Sequence, residues 1–264
     1  LRILAVVCVR NEAVHISRCI RDFVEDGIDV AIVDHGCSDG SEAVAREFLG
    51  RGVVAIEPLG WKGSFSLTDQ LEAKERIVAR SDHDWVIHAD ADEWLCPPAA
   101  LGTSLAHAIA QVDAQGFNAI NFRELVFVPV EDEDFERPDY STLMARYYFF
   151  EPSHPRLMRV WKRLAGLSGA LSGGHVLAGA DLALFGTDFF LRHYIVLSAA
   201  HARRKYLDRV FSSEDRSRGW HFNRVGILRE KLRVPPHPCL RQLKDWRSQA
   251  YDTTAPVTKH FWEW

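Results

Sequence analysis

The sequence predicts an α/β chain: a mostly parallel sheet with helices on both faces, followed by a less regular second half. Three observations carry this. Short runs that are apolar on both sides of the pleat recur, such as Ile3 to Val9 and Trp85 to Ala89; strands of that kind are buried on both faces. Segments with helical apolar spacing separate them, and strands alternating with helices imply a parallel sheet with right-handed crossovers. Finally, acids and amides stand directly after the runs, at the carboxyl ends where open sheets bind ligands.

The elements follow in order. Ile3 to Val9 is the first strand, ended by Arg10-Asn11-Glu12. Ala13 to Glu25 places Val14, Ile16, Ile20, Phe23 and Val24 near helical spacing, with Asp26-Gly27 as the stop. Ile28 to Val33 is a second strand closed by Asp34. The turn His35 to Ser41 follows, with Ser38 or Asp39 as cap of a helix running to Leu49. Val53 to Ile56 is a short third strand. A loop with Pro58, Gly60, Trp61 and Gly63 leads to a helix over Leu67 to Arg80, and Asp84 to Ala89 is the fourth strand.

Beyond it, Pro97-Pro98 opens a helix to Val112, and Phe117 to Val130 alternates as a long strand. Glu131 to Asp134 reads as a solvated acidic loop. Met144 to Glu151 and Arg156 to Lys162 are strand-rich. Gly166 to Gly174 is either a plain turn or a mobile loop over a substrate. Phe189 to Val196 is a late strand holding His193. Between Ala200 and Arg247 there are 13 Lys/Arg against 5 Asp/Glu. This basic region suits peripheral contact with an anionic membrane, an anionic substrate, or a solvated helical face. The organisation expected is a ligand-binding half over 1–95, the other half of the same domain over 96–198, and a helical basic extension over 199–264.

The 264 residues carry a net charge of −4, which gives no global pull towards nucleic acid. No run approaches the roughly 18 apolar residues of a membrane helix. The start at Leu1, without Met, reads as a trimmed end and not as a signal peptide. Five widely spaced cysteines with no C-x-x-C pair suggest reduced thiols and a cytoplasmic protein. Neither G-x-G-x-x-G nor G-x-x-x-x-G-K-[ST] occurs, which disfavours a dinucleotide dehydrogenase and a P-loop enzyme.

Chemistry concentrates in Asp90-Ala91-Asp92-Glu93. Residues two apart in an extended backbone point the same way, so Asp90 and Asp92 can converge. Two close carboxylates need a proton or a cation between them. A hard ion such as Mg²⁺ or Mn²⁺ takes such oxygens and shares them with substrate phosphates. An acidic turn that is merely wet is the bland alternative. It weakens because Asn11, Glu12 and Asp34 come to the same sheet edge from other strands.

Three stretches resemble the GT-A fold nucleotide-sugar glycosyltransferases of the family 2 type: Val7 to Glu12, Val33 to Ser41, and Asp84 to Glu93. Its D-A-D-E form resembles a bacterial subgroup found in polysaccharide and cell-surface gene clusters. The family's D-D-x-S-x-D-G-T element departs here, with His35 for the second acid and Cys37 for the serine. The resemblance covers 1–95 and thins afterwards. It implies that Asn11, Glu12, Asp34 and Asp90 line the nucleotide pocket, and that Asp90 and Asp92 hold Mn²⁺ or Mg²⁺ with the sugar diphosphate. His193 resembles the late metal or phosphate contact of these enzymes, against a packed core histidine as the alternative. Gly173-Gly174-His175 resembles their acceptor loop. No acidic x-E-D element follows it: Asp181 and Asp188 lack that form, and Glu214-Asp215 comes late. Glu93 and His175 are therefore the candidates for the base that deprotonates an acceptor hydroxyl.

The implied reaction is a metal-dependent, hexosyltransferase-like transfer from a nucleotide-sugar to a glycan, lipid-linked or small-molecule acceptor, inverting by the resemblance, with retention left open by the missing x-E-D base. The implied setting is the cytoplasm or the inner face of the membrane. The rival is a non-catalytic GT-A-like binding or scaffold module. A phosphohydrolase of the D-x-D-x-[TV] kind is weaker, since the motif sits on the fourth strand and ends in Trp94.

Overall fold

The computed structural model describes residues 1–230 and 232–264. Strand β1 (Ile3–Val9), helix α1 (Ala13–Glu25), β2 (Asp29–Asp34), α2 (Ser41–Arg46), β3 (Val53–Pro58), α3 (Leu67–Arg80) and β4 (Trp85–Asp90) alternate as the patterning predicts. β1 pairs in parallel with β2 and β4, and β2 with β3. Residues along β1 divide by parity. Ile3, Ala5, Val7 and Val9 face α1 and a later helix, α4 (Leu105–Ala114); Leu4, Val6 and Cys8 face α3. Helices therefore cover both faces, which is why β1 has no polar alternation.

Past β4 come β5 (Glu93–Cys96), β6 (Ala119–Phe127), β7 (Arg146–Phe150), β8 (Leu157–Lys162), β9 (Phe189–His193) and β10 (Arg241–Gln242). One sheet runs in the order β10-β7-β6-β8-β4-β1-β2-β3. β8 enters antiparallel between β4 and β6, so the expected second half extends the same sheet. β5 and β9 pair antiparallel, and β9 also runs parallel to β6.

Several boundaries differ from expectation. α2 ends at Arg46, not Leu49, and its cap is Gly40 in the left-handed region; Asp39 instead braces Ser41, accepting from its N and Oγ at 3.0 and 2.6 Å. After Pro98 only a 3₁₀ turn forms. α4 begins at Leu105, where Ser104 accepts from the His107 backbone N at 3.1 Å. The long strand expected over 117–130 is β6 with nine residues. Over 199–264 the helices are α6 (Ala199–Tyr206) and α7 (Ser213–Ser217), following a single turn, α5 (Tyr140–Leu143), earlier in the chain. The described remainder is turns, 3₁₀ pieces and β10, so the extension is less helical than its composition suggests.

The extension is pinned to the body. Asp215, fully buried, accepts from Leu67 N at 2.7 Å and Thr68 N at 3.0 Å, capping α3. Phe65 exchanges backbone bonds with Val210 and Ser212, and His260 Nδ1 lies 2.9 Å from the Tyr148 hydroxyl of β7; within the extension, Trp262 Nε1 donates to the Asn223 carbonyl at 3.0 Å. These ties hold the extension across the carboxyl ends of β1 and β4. Among the described residues, no helix is long and apolar enough to cross a membrane.

Candidate active site

A cavity of about 310 Å³ lies under this extension. Glu12, Asp90, Asp92, Glu93, His175 and His193 all line it, so the fold gathers six of the eight expected site residues. Asn11 and Asp34 are not on its wall. Asn11 Oδ1 accepts from Ser38 N at 2.9 Å, and Asp34 Oδ1 accepts from Cys37 N at 3.0 Å. Asn11 Oδ1 ties the turn between β2 and α2 to the end of β1, Asp34 Oδ1 braces that turn from within, and Asn11 itself takes φ 57° there.

Asp90 and Asp92 do not share a strand face. Asp90 is the last residue of β4, and a turn at 91–92 precedes β5, so the period-two expectation fails at this step. The Asp90 carboxylate lies 3.7 Å from Lys74 Nζ and 3.4 Å from Arg159 Nη2. Burial works to raise its pKa, but these two cations outweigh burial and hold the group below the usual carboxylate range. Asp92 is buried. Its Oδ2 lies 2.6 Å from Lys205 Nζ and 3.3 Å from His193 Nε2. Here too burial is overcome, and Lys205 and His193 keep Asp92 well below the ordinary value.

β5 explains why His193 arrives here. Glu93 pairs in register with His193 across the β5–β9 ladder, so the strand after the acidic turn carries the late histidine to it. His193 Nδ1 donates to Glu124 Oε1 at 2.6 Å. A carboxylate on one ring nitrogen fixes the ring and aims the other nitrogen, the arrangement usual for metal-ligating histidines. Burial disfavours its charged form, yet Asp92 raises its pKa.

The two candidate bases separate on geometry. Glu93 is 3% exposed; Oε1 takes Arg159 Nη2 at 2.5 Å and Oε2 takes the Asp90 backbone N at 3.2 Å. Both oxygens are occupied, which suits a residue that positions Arg159 and the acidic turn. His175 Nδ1 faces the Ser172 carbonyl at 3.1 Å. A carbonyl only accepts, so the proton sits on Nδ1 and Nε2 is left as an acceptor. Burial, then Arg159 and Arg156, push its pKa down to about 3, so the ring is neutral. Gly174 sets it in place: with φ +80°, any Cβ there would come 2.5 Å from His88 Cε1.

Of the four other acids considered for that role, Asp181 is exposed and off the cavity wall, and three are committed elsewhere. Asp215 caps α3, exposed Glu214 pairs with Arg218, and Asp188 holds Asn121 and His154 away from the cavity. Glu12 stays at the cavity wall, and burial raises it to about 7 against the pull of Lys205.

Sequence patterning does not single out Lys205, Glu124 or Arg159. The signal for the last two is a charge flanked by apolar residues in a strand, clear for Arg159 in β8 and weaker for Glu124 in β6, which follows Arg123; each is about 5% exposed. Such charges are almost never buried unpaired. Lys205 is visible only as one of many basic residues.

Among the described residues no group of three or more His, Cys, Asp or Glu side chains is arranged to hold a metal ion. Asp92 and His193 offer one oxygen and one oriented nitrogen 3.3 Å apart. That fits an ion completing its shell with substrate phosphates, as Mg²⁺ usually does, and not a protein-caged ion. Lys205 holds the same Asp92 oxygen, so the ammonium and a metal would compete for it.

No family model and no curated protein sequence matches this chain. Among solved structures, S. aureus TarS aligns over 79% of this chain and 39% of its own, with 9% identity and TM-score 0.45. Residues 1–349 of TarS in complex with UDP align over 77% of this chain and 66% of that one, with 8% identity and TM-score 0.43. The chain thus spans 39% to 66% of these structures' length. Overlap this loose carries no weight for function.

Proposed function

We propose that this chain is a nucleotide-sugar glycosyltransferase whose donor and acceptor meet in the cavity at the carboxyl ends of β1 and β4. The supporting observation is the set Asp92, His193 and Lys205, held within 3.3 Å contacts on one wall, with the unbound His175 nitrogen on the same cavity. Transfer of a sugar needs two things from the protein. The leaving diphosphate must be stabilised as the glycosidic bond breaks, and the attacking hydroxyl must lose a proton.

Lys205 supplies fixed positive charge for the first task, in a site where water is largely replaced by protein. A divalent ion shared between Asp92, His193 and the diphosphate would add Lewis-acid stabilisation of the leaving group when bound. Glu124 keeps His193 aimed at that point. For the second task, His175 Nε2 accepts the hydroxyl proton. A general base usually has a pKa near the operating pH; a ring pushed to about 3 is a weak base, and charge developing on the acceptor must raise it during transfer. Glu93 and Arg159 hold the acidic turn in shape and do not exchange protons with substrate. The acceptor enters from the side of β7, β8 and the 166–179 loop, and a glycan, a lipid-linked sugar or a small hydroxyl compound would suit it. Synthesis of cell-surface polysaccharide at the inner membrane face is the setting we infer from the D-A-D-E stretch.

The non-catalytic module is disfavoured by the same wall. A binding scaffold has no use for a neutral imidazole with a bare nitrogen on the same cavity as a buried acid–histidine–lysine set. A thermal-shift panel of nucleoside diphosphates, with and without Mn²⁺, tests the reading, because ligands that bind only the folded state stabilise it by about 2.7 kcal/mol at 100 times Kd. One nucleotide should raise the melting point in the parent and do so less in Asp92→Asn. No shift with any nucleotide sinks the proposal.

A further inference from the structure

Six cationic side chains line the cavity: Arg10, Arg156, Arg159, Lys205, Arg209 and Arg224. Four are engaged. Arg10 donates to the Gly36 carbonyl, Arg156 to Glu124, Arg159 to Glu93 and Asp90, and Lys205 to Asp92. Arg209 and Arg224 make no side-chain hydrogen bond or ion pair among the described residues. Nor do the acids of the cavity need them. Asp90, Asp92, Glu93 and Glu124 each have a cation already; Glu12, raised to about 7 by burial, is pulled down by Lys205 first and by Arg209 less, and forms an ion pair with neither.

The two guanidiniums are held by their flanks. Arg209 lies over the Phe65 ring at 4.7 Å and Arg224 over the Tyr206 ring at 5.9 Å. Their backbones are fixed by the Phe65 ladder and by the Trp262–Asn223 bond. Burial pushes Arg209 below its usual pKa against the pull of Glu12, and Arg224 adds to the fall. Two like charges facing one cavity with no ion pair of their own are costly unless an anion joins them. A guanidinium fork matches phosphate oxygens bidentately, and aromatic flanking keeps that fork planar and aimed.

We propose that Arg209 and Arg224 form a phosphate-binding subsite on the wall of the cavity made by the C-terminal extension. It deepens the transferase reading and rests on it for the owner of the phosphate, which is either the donor's diphosphate or an anionic acceptor.

The test is calorimetric titration of inorganic pyrophosphate, a nucleoside, and the matching nucleoside diphosphate, all in EDTA, into the parent and into Arg209→Gln, Arg224→Gln and Arg209→Lys. The expected result is pyrophosphate binding that weakens at least tenfold in each Gln variant and less in Arg209→Lys. Melting temperatures should be equal to or above the parent's, since a charge with no ion pair of its own has been removed. If the gain of the diphosphate over the nucleoside disappears in the Gln variants, the phosphate is the donor's. If that gain survives and only pyrophosphate added over saturating nucleoside diphosphate is lost, it is the acceptor's. Pyrophosphate binding that ignores both substitutions, or is absent from the parent at millimolar concentration, overturns the subsite. Arginine-dependent pyrophosphate binding with no nucleoside or nucleotide binding would instead keep the subsite and remove the transferase reading.

Discussion

Arg159→Met is the sharpest structural perturbation of this site. Arg159 and Glu93 side chains are 6% and 1% exposed, and their charged atoms lie 2.5 Å apart. Removing the guanidinium leaves a buried carboxylate without its cation, and breaking such a pair from one side costs about 3–5 kcal/mol. Against a total stability on the order of 5–15 kcal/mol, that is a large fraction. For a chain of this size it corresponds to a fall of roughly 6–20 °C in melting temperature. Glu93 already has a raised pKa from burial, with Arg159 opposing the rise. In the variant the opposition is gone and the folded pKa climbs further. A carboxyl with a folded pKa above its unfolded value stabilises below the unfolded pKa and loses that contribution as pH rises through the folded one. The deficit should therefore be large at pH 7 and shrink towards pH 4.5. Arg159→Met/Glu93→Gln should recover most of it. Urea denaturation across this range is the assay. A single variant within about 0.5 kcal/mol of the parent at pH 7, the range of ordinary surface substitutions, would refute the buried pair.

Three further outcomes follow from the same geometry. His175→Gln should lower kcat by roughly 10²–10⁴-fold with donor KM little changed, the range of a lost general base; equal loss in KM would make the residue a binding contact. Lys205→Met frees the Asp92 oxygen, so Mn²⁺ measured by titration calorimetry should bind more tightly, and unchanged or weaker binding would place the ion elsewhere. Burial depresses His15, His88, His175, His201, His221 and His260, with His175 and His201 at about 3 and His221 at about 4. Below about pH 6.5 the unfolded chain binds protons that these folded rings refuse, so stability is present above that pH and falls as acid is added. Urea midpoints that do not drop between pH 7.5 and 5.5 would contradict the buried neutral rings.

How far the sequence led depends on range. The four parallel strands were legible because β1 and β4 are apolar on both faces, a local pattern. β5 was not, because four residues after an acidic turn carry no period of their own. Missing it made Asp90 and Asp92 look like neighbours on one strand, when they flank a turn. His193 was legible as a residue, while its route to Asp92 depends on the β5–β9 pairing, a contact across 100 residues. Asn11 and Asp34 stood at the right edge of the sheet, but their hydrogen bonds go to the turn that follows β2, and no pattern announces that. Lys205 was hidden in a basic stretch whose fold depends on Asp215 capping a helix 147 positions earlier. Arg159 leaves a trace as a charge between apolar neighbours in β8, while Glu124 is masked by Arg123 beside it in β6.

Release of free nucleoside diphosphate from a panel of nucleotide-sugars, compared between the parent and Asp92→Asn, bears most directly on the proposed activity. The account predicts release from one nucleotide-sugar by the parent, and loss of at least 100-fold in the variant with an unchanged near-ultraviolet spectrum, a range typical when one charge-stabilising contact to the transition state is removed. A variant releasing diphosphate at the parental rate would contradict it.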